Sequence, residues 1–286
     1  MPFFTRDGVK FHYRSKGTGD HPFFFQHGLG GDVEQPFGLF QPPPDVRLLA
    51  FDCRGHGSTA PLGNPEKIGL RPFAEDLLAF MDHLQITRGF IGGISMGAAV
   101  ALNFALQFPA RVQGLVLSRP AWLDHPNPWN VSMFDLIAGL ILQHGPEHGL
   151  QVFLKSQEYL EVLRQFPETA QSLARQFDSP RVEETVLCLG RIPRDTPCRD
   201  RREWAKIKVP TLVLANKWDP IHPFAYGEVL ARAIPGAEFR EIAPKSVSVA
   251  QHGRDVQQFI EEFLRRQIGW LPAAKLEKYF VLSGEV

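Results

Sequence analysis

Short apolar runs, each closed by turn residues and separated by helix-patterned segments, are the feature that most restricts how this chain can fold. Val46 to Phe51, Phe90 to Ile94, Val112 to Leu117 and Val209 to Ala215 are dominated by apolar residues over the length of a strand. Strands buried on both faces read in this way. Residues 9–14 and 21–26 read as two further strands joined by the Gly17-Thr18-Gly19-Asp20 turn. Between the runs lie helical stripes. Phe73, Leu77, Leu78, Phe80, Met81 and Leu84 line one face of residues 72–84, and Val256, Phe259, Ile260, Phe263 and Leu264 follow i, i+3, i+4 spacing. Strands alternating with helices predict an α/β fold: a mostly parallel, doubly wound sheet flanked by helices.

One stretch interrupts the alternation. From Trp122 to Glu203 the chain reads as several helices without a strand, too long for a plain connection. It predicts a helical lid, 122–203, inserted into a core made of residues 1–121 and 204–267, with 268–286 as a C-terminal tail. Within the insertion, Met133 to Leu142 carries one charged residue and is apolar almost all round. Such a helix must be covered on most sides. It predicts either an apolar roof over the site, favouring neutral, apolar substrates, or a private core of the lid. Trp122, Trp129, Phe153 and Tyr159 flank it.

Charge excludes several partner classes. Lysine plus arginine and aspartate plus glutamate number 31 each, so no global field favours nucleic acid or an anionic membrane. No apolar run approaches membrane-spanning length. The N-terminus reaches Arg6 and Asp7 after two phenylalanines, unlike a signal peptide, and Cys53, Cys188 and Cys198 are an odd set without metal-like spacing. These features predict thiols in a reducing cytoplasm. The sequon Asn130-Val131-Ser132 carries no weight without secretion.

The strongest chemical signal is Gly93-Ile94-Ser95-Met96-Gly97, set between an expected strand and the alanine-rich segment 96–107. A serine on a tight strand-to-helix turn has its hydroxyl held out at the carboxyl edge of the sheet. The flanking glycines let neighbouring backbone approach. The helix N-terminus and the Met96 amide then favour negative charge on a reacting oxygen. His27-Gly28-Leu29-Gly30-Gly31 follows the strand ending at Gln26, and its Leu29 amide is a candidate second donor to that oxyanion. Asp52-Cys53-Arg54-Gly55-His56-Gly57-Ser58 reads as a tight structural loop fixed by glycines and by polar contacts of Asp52 and Arg54.

These three segments, in this order and on these strands, resemble the α/β-hydrolase superfamily over about residues 9–120 and 205–267. That resemblance implies a triad running nucleophile, acid, base along the chain. Ser95 is then the nucleophile. The acid maps to Asp219, just past the run 209–215, with Asp124 as second choice. The base maps to His252, expected in a loop after a strand near 239–242 and before the last helix. Here Gln251-His252 stands where members often have Gly-His. His222, three residues beyond Asp219, reads as a packing histidine, because the family's base comes after one more strand. The resemblance implies a serine hydrolase that needs no cofactor and acts on a small-molecule carboxylic ester or lactone through an acyl-enzyme. Alternatives on the same fold are a C–C bond hydrolase of diketones, a cofactor-free perhydrolase or haloperoxidase, and a non-catalytic ligand-binding scaffold.

Other patterns are set aside on physical grounds. His144-Gly145-Pro146-Glu147-His148 matches a zinc-protease motif, but glycine and proline between the histidines disfavour the continuous helix it needs. Ala98 stands where an S-x-x-K enzyme has lysine. The nucleophile position is not aspartate, unlike haloalkane dehalogenases and epoxide hydrolases. Arg191, Arg194, Arg199, Arg201 and Arg202, interspersed with Asp195 and Asp200, read as a solvated face.

Overall fold

The computed structural model describes residues 2–269. Its sheet has eight strands, β1 (Phe3–Arg6), β2 (Val9–Lys16), β3 (His21–Gln26), β4 (Val46–Phe51), β5 (Gly89–Ile94), β6 (Val112–Ser118), β7 (Thr211–Ala215) and β8 (Glu238–Glu241). They lie in the order β1-β2-β4-β3-β5-β6-β7-β8. Every pair from β4 across to β8 is parallel, and β1 and β2 close one edge antiparallel. The chain is therefore an α/β protein with a mostly parallel sheet. The strands read at 9–14 and 21–26 are not neighbours; β4 runs between them. Gly17 to Asp20 packs against the approach to β4 so closely that a Cβ on Gly19 would fall 2.0 Å from the Asp45 carbonyl carbon.

Helices α1 (Glu34–Leu39), α2 (Leu70–His83) and α3 (Met96–Gln107) precede an inserted series, α4 (Ser132–Lys155), α5 (Gln157–Gln165), α6 (Pro167–Ala174) and α7 (Val182–Arg191); α8 (Phe224–Ala233) and α9 (Val249–Gln267) follow. Alternation along the strands divides the core in two. Phe24, Leu49, Ile91, Leu115 and Leu117 pack with Phe73, Leu77 and Phe80 of α2 and Val100 and Phe104 of α3. Phe23, Phe25, Leu48, Phe90, Val116 and Leu214 pack on the other face with Val256, Ile260, Phe263 and Leu264 of α9. Truncating one such phenylalanine to alanine costs about 3–5 kcal/mol.

The inserted helices lie between β6 and β7. α4 is broken at Gly145, which has φ +73° and ψ 169°, so His144 and His148 do not share a continuous helix. Phe153 packs on Tyr159 and Phe177 at ring distances of 5.0 and 5.3 Å, and all three belong to the apolar cluster that contains α2 and α3. Trp122 is buried, whereas Trp129 and Leu142 are exposed. The expected tail, apart from its first two residues, lies outside the described residues.

One expectation about the chain's end is corrected. His252 sits inside α9, not in a loop before it, because the helix starts early: Ser248 caps it, accepting a hydrogen bond from the Gln251 amide at 3.1 Å. Ser248-x-x-Gln251 is a capping-box pattern that was present in the sequence.

Candidate active site

Parallel strands deliver their following residues to one edge of the sheet. Gln26 of β3 is level with Gly93 of β5, Ile94 with Ser118 of β6, and Ser118 with Leu214 of β7. The residues that follow, His27 to Leu29, Ser95, Arg119 and Asn216 to Asp219, consequently gather at the carboxyl edge, where open α/β sheets hold their ligands.

Ser95 is the residue between β5 and α3. Its backbone has φ +56° and ψ −112°, a conformation that non-glycine residues rarely adopt. The turn is held by the Ser95 amide donating to Ser118 O at 3.0 Å and by the Ala98 amide donating to Ser95 O at 3.0 Å. Both flanking glycines are obligatory: a Cβ on Gly93 would lie 2.2 Å from the Gly97 carbonyl carbon, and one on Gly97 would lie 2.3 Å from Gln26 O.

The loop after β3 is fixed beside it. His27 Nε2 accepts from the Cys53 amide at 3.0 Å, which leaves Nδ1 protonated to donate to Gly28 O at 2.8 Å. The Gly28 amide donates to Gln35 Oε1 at 2.6 Å. Asp52 Oδ1 accepts from the Val33 amide and its Oδ2 from the Ser58 amide, each at 2.8 Å, while Arg54 makes two bonds to buried Asp76 at 2.7 and 2.8 Å. The Asp52–Ser58 loop thus has the structural contacts read for it.

Asp219 and His252, read from the sequence as acid and base, have separate partners. Asp219 is buried, and its carboxylate accepts from Arg119 Nη2 at 2.6 Å and Nε at 3.1 Å. Its two oxygens each lie 3.0 Å from His222 Nδ1. Burial works against ionisation of Asp219, yet the charge of Arg119 and the hydrogen bonds from His222 and Arg119 hold its carboxyl well below the ordinary range. No hydrogen bond joins Asp219 to His252. Instead His252 Nδ1 donates to Ala243 O at 2.8 Å, and its Nε2 has no partner among the described residues. Its early entry into α9 places it there, and burial, then the charge of Arg119, lowers its pKa to about 4. Asp124, the alternative acid, is engaged by Arg201 at 2.8 and 3.0 Å, away from Ser95.

A cavity of about 140 Å³ opens on Ser95, with Leu29, Arg119, His222 and Lys245 in its wall. Phe134, Glu168 and Leu173 of the inserted helices also line it. His252 does not line it. Of the apolar segment 133–142 only Phe134 reaches the wall, and polar groups share the lining with apolar ones. His222 is buried, and its Nε2 has no partner among the described residues. Burial and the charge of Arg119 push its pKa down, which keeps the ring neutral. Lys245, from the loop between β8 and α9, is lowered to about 8, first by the charge of Arg119 and then by burial, with Asp219 and Glu168 acting in the opposite sense.

Of the polar groups around Ser95, His222 was read from the sequence as a packing histidine, and Arg119 and Lys245 were not singled out. Only the first left a trace, its three-residue spacing from Asp219. Among the described residues no group of three or more His, Cys, Asp or Glu side chains is placed to hold a metal ion, and no helix is long and apolar enough to cross a membrane.

Comparison with known proteins agrees with this architecture. The profile of the alpha/beta hydrolase fold family matches residues 21–246. The chain is 24% identical over 267 residues to 3-oxoadipate enol-lactonase 2 of Acinetobacter baylyi, covering 92% of this chain and 96% of that protein. It is 30% identical over 198 residues to a putative carbamate hydrolase RutD of Pseudomonas syringae pv. syringae, covering 68% and 73%. Among solved structures, the enol-lactonase from Burkholderia xenovorans LB400 superposes with a TM-score of 0.69 at 25% identity, over 92% of this chain and 99% of the other. A thermophilic esterase from Thermogutta terrifontis does so at 0.70 and 25%, over 91% and 94%. With the eight-stranded, mostly parallel sheet and the serine turn between β5 and α3, the match over 21–246 establishes that the chain belongs to the α/β-hydrolase family and is a hydrolase.

Proposed function

We propose that the protein hydrolyses a carboxylic ester or lactone by nucleophilic catalysis, with Ser95 as nucleophile, His222 as base and Asp219 as the acid that orients it. One observation carries the reading: the strained serine and a histidine bound through Nδ1 to a buried carboxylate share one small cavity. When Nδ1–H donates to Asp219, the lone pair of His222 is on Nε2, the nitrogen left without a partner. His222 then accepts the proton of Ser95 as Oγ attacks the carbonyl carbon. The amides of Leu29 and Met96 hold the resulting oxyanion, Met96 being the first residue of α3. Collapse expels the alcohol, protonated by His222, and leaves an acyl-enzyme. Water, deprotonated by the same nitrogen, releases the acid. The esterase and lactonase names of the relatives support the substrate class.

The test is a panel of esters, lactones and diketones run on wild type and Ser95→Ala, with a fluorophosphonate to mark the nucleophile. Turnover of esters or lactones that vanishes in Ser95→Ala, with the adduct on Ser95, is the expected result. An adduct elsewhere, or turnover confined to diketones, overturns the reading.

A further inference from the structure

The Ser95 cavity holds two cations that differ in one respect. Arg119 is neutralised where it stands, its guanidinium 2.6 Å from the Asp219 carboxylate. Lys245 has no such partner: among the described residues its Nζ makes no hydrogen bond and no ion pair, although it is half-buried in the cavity wall. Glu168, on α6 in the same wall, acts on Lys245 less than Arg119 and Asp219 do. A cation taken partly out of water and left without a counter-ion is costly to the fold. The loop that carries it, Ala243 to Ser248, nevertheless has bonding of its own: the Ala243 amide donates to Asp255 at 2.7 Å, and the Val247 and Ser248 amides each donate to Pro244 O at 3.0 Å. The position of Lys245 is thus fixed by backbone contacts and not by pairing of its side chain.

Taking Ser95 as the nucleophile, as proposed above, we infer that Lys245 docks a carboxylate of the substrate, so that the enzyme takes short-chain anionic esters or lactones whose free carboxylate lies a few carbons from the scissile carbonyl. The smallness of the cavity sets the length. Ser95 and Lys245 line the same space of about 140 Å³, so a carbonyl at the serine and a carboxylate at the lysine belong to one small acyl group. Glu168 in the same wall disfavours a second carboxylate and so admits a monoanion in preference to a diacid. The expectation of an apolar acyl pocket came from residues 133–142, and those contribute Phe134 alone.

The experiment compares monomethyl glutarate with methyl pentanoate, which places a methyl group where the first has its carboxylate. Rates by pH-stat titration give kcat/KM for both on wild type, Ser95→Ala, Lys245→Met, Lys245→Gln and Lys245→Arg. Wild type is expected to favour the anionic ester by about tenfold or more, the size of one charge-assisted contact. Lys245→Met and Lys245→Gln remove that preference, and Lys245→Arg keeps part of it. A wild-type ratio near or below one, or an unchanged ratio in both neutral variants, overturns the inference and leaves Ser95 standing. So does an equal loss on both esters, which assigns Lys245 to proton transfer or packing. Retained turnover in Ser95→Ala overturns the nucleophile, and this inference with it.

Discussion

His222 Nδ1 lies 3.0 Å from both carboxylate oxygens of Asp219, and the two residues are three positions apart on one loop. The same carboxylate accepts from the Ile221 and His222 amides, each at 3.1 Å, so Asp219 folds the loop and orients the ring at once. On the reading proposed above, acid and base share this loop and do not depend on the long excursion through β8 that the family's usual order requires. His252, beyond that excursion, is bound to Ala243 O instead.

The two histidines should therefore separate by mutation. His222→Gln is expected to lower kcat on the best ester on the order of a thousandfold with the fold intact. His252→Gln should cost less than about tenfold in kcat but destabilise the fold by about 1–3 kcal/mol, through loss of a buried hydrogen bond. Parallel kinetics and urea melts decide between them. The reverse pattern returns the base to His252.

Arg119 competes for the base. Its Nη2 is 2.9 Å from His222 Nδ1 and can donate only to the tautomer in which that nitrogen is bare, whereas Asp219 favours the protonated one. Burial first and then this positive charge hold the pKa of His222 down. Arg119→Met removes the charge, so the pKa rises and the acidic limb of kcat/KM against pH moves to higher pH. A profile on methyl pentanoate measures it. An unmoved acidic limb would show that His222 is not the titrating base.

How far the sequence disclosed this arrangement differed by element. The sheet, the Ser95 turn and α9 are local patterns, short apolar runs and helical stripes, and they were legible as such. The start of α9 was written in Ser248-x-x-Gln251, a four-residue signal that the Gln251-His252 pair obscured. β1 and the place of β4 between β2 and β3 depend on pairing at a distance, which no local pattern records. The same holds for Arg119 and Lys245. Each follows a strand, and only the parallel register of β6, β7 and β8 brings both to the serine.

Acid lability follows from the buried histidines. Burial holds His56 at about 3 and His252 at about 4, against an ordinary 6.5. Between pH 6.5 and about 4 the unfolded chain binds these protons and the folded chain does not. Stability is therefore full above 6.5 and is lost as pH falls, by up to about 1.4 kcal/mol per unit for each group. Asp76, raised by burial, acts the opposite way nearer the carboxylate range. Urea midpoints at pH 7, 6 and 5 should fall steadily, and His252→Gln should remove about one proton from the slope. A flat profile across that range contradicts the burial of neutral rings.

The contact between the loop after β3 and the inserted helices can be tested at Gly30. That residue has φ +71°, and a Cβ there would fall 1.9 Å from Gln176 Oε1. Gln176 is buried, and its amide donates to Ser172 O at 3.2 Å at the end of α6, beside the cavity. Gly30→Ala thus carries two separable penalties. A left-handed backbone costs a non-glycine residue about 1–2 kcal/mol, and the methyl group must also turn aside the end of the Gln176 side chain. Both act on the loop that carries the Leu29 amide, so kcat should fall by about tenfold or more. Adding Gln176→Ala removes the clash and leaves the backbone strain, so the double variant should recover only part of kcat. Full recovery would show that the backbone at Gly30 carries no strain the site feels. No recovery would show that the contact with Gln176 adds nothing to the loss.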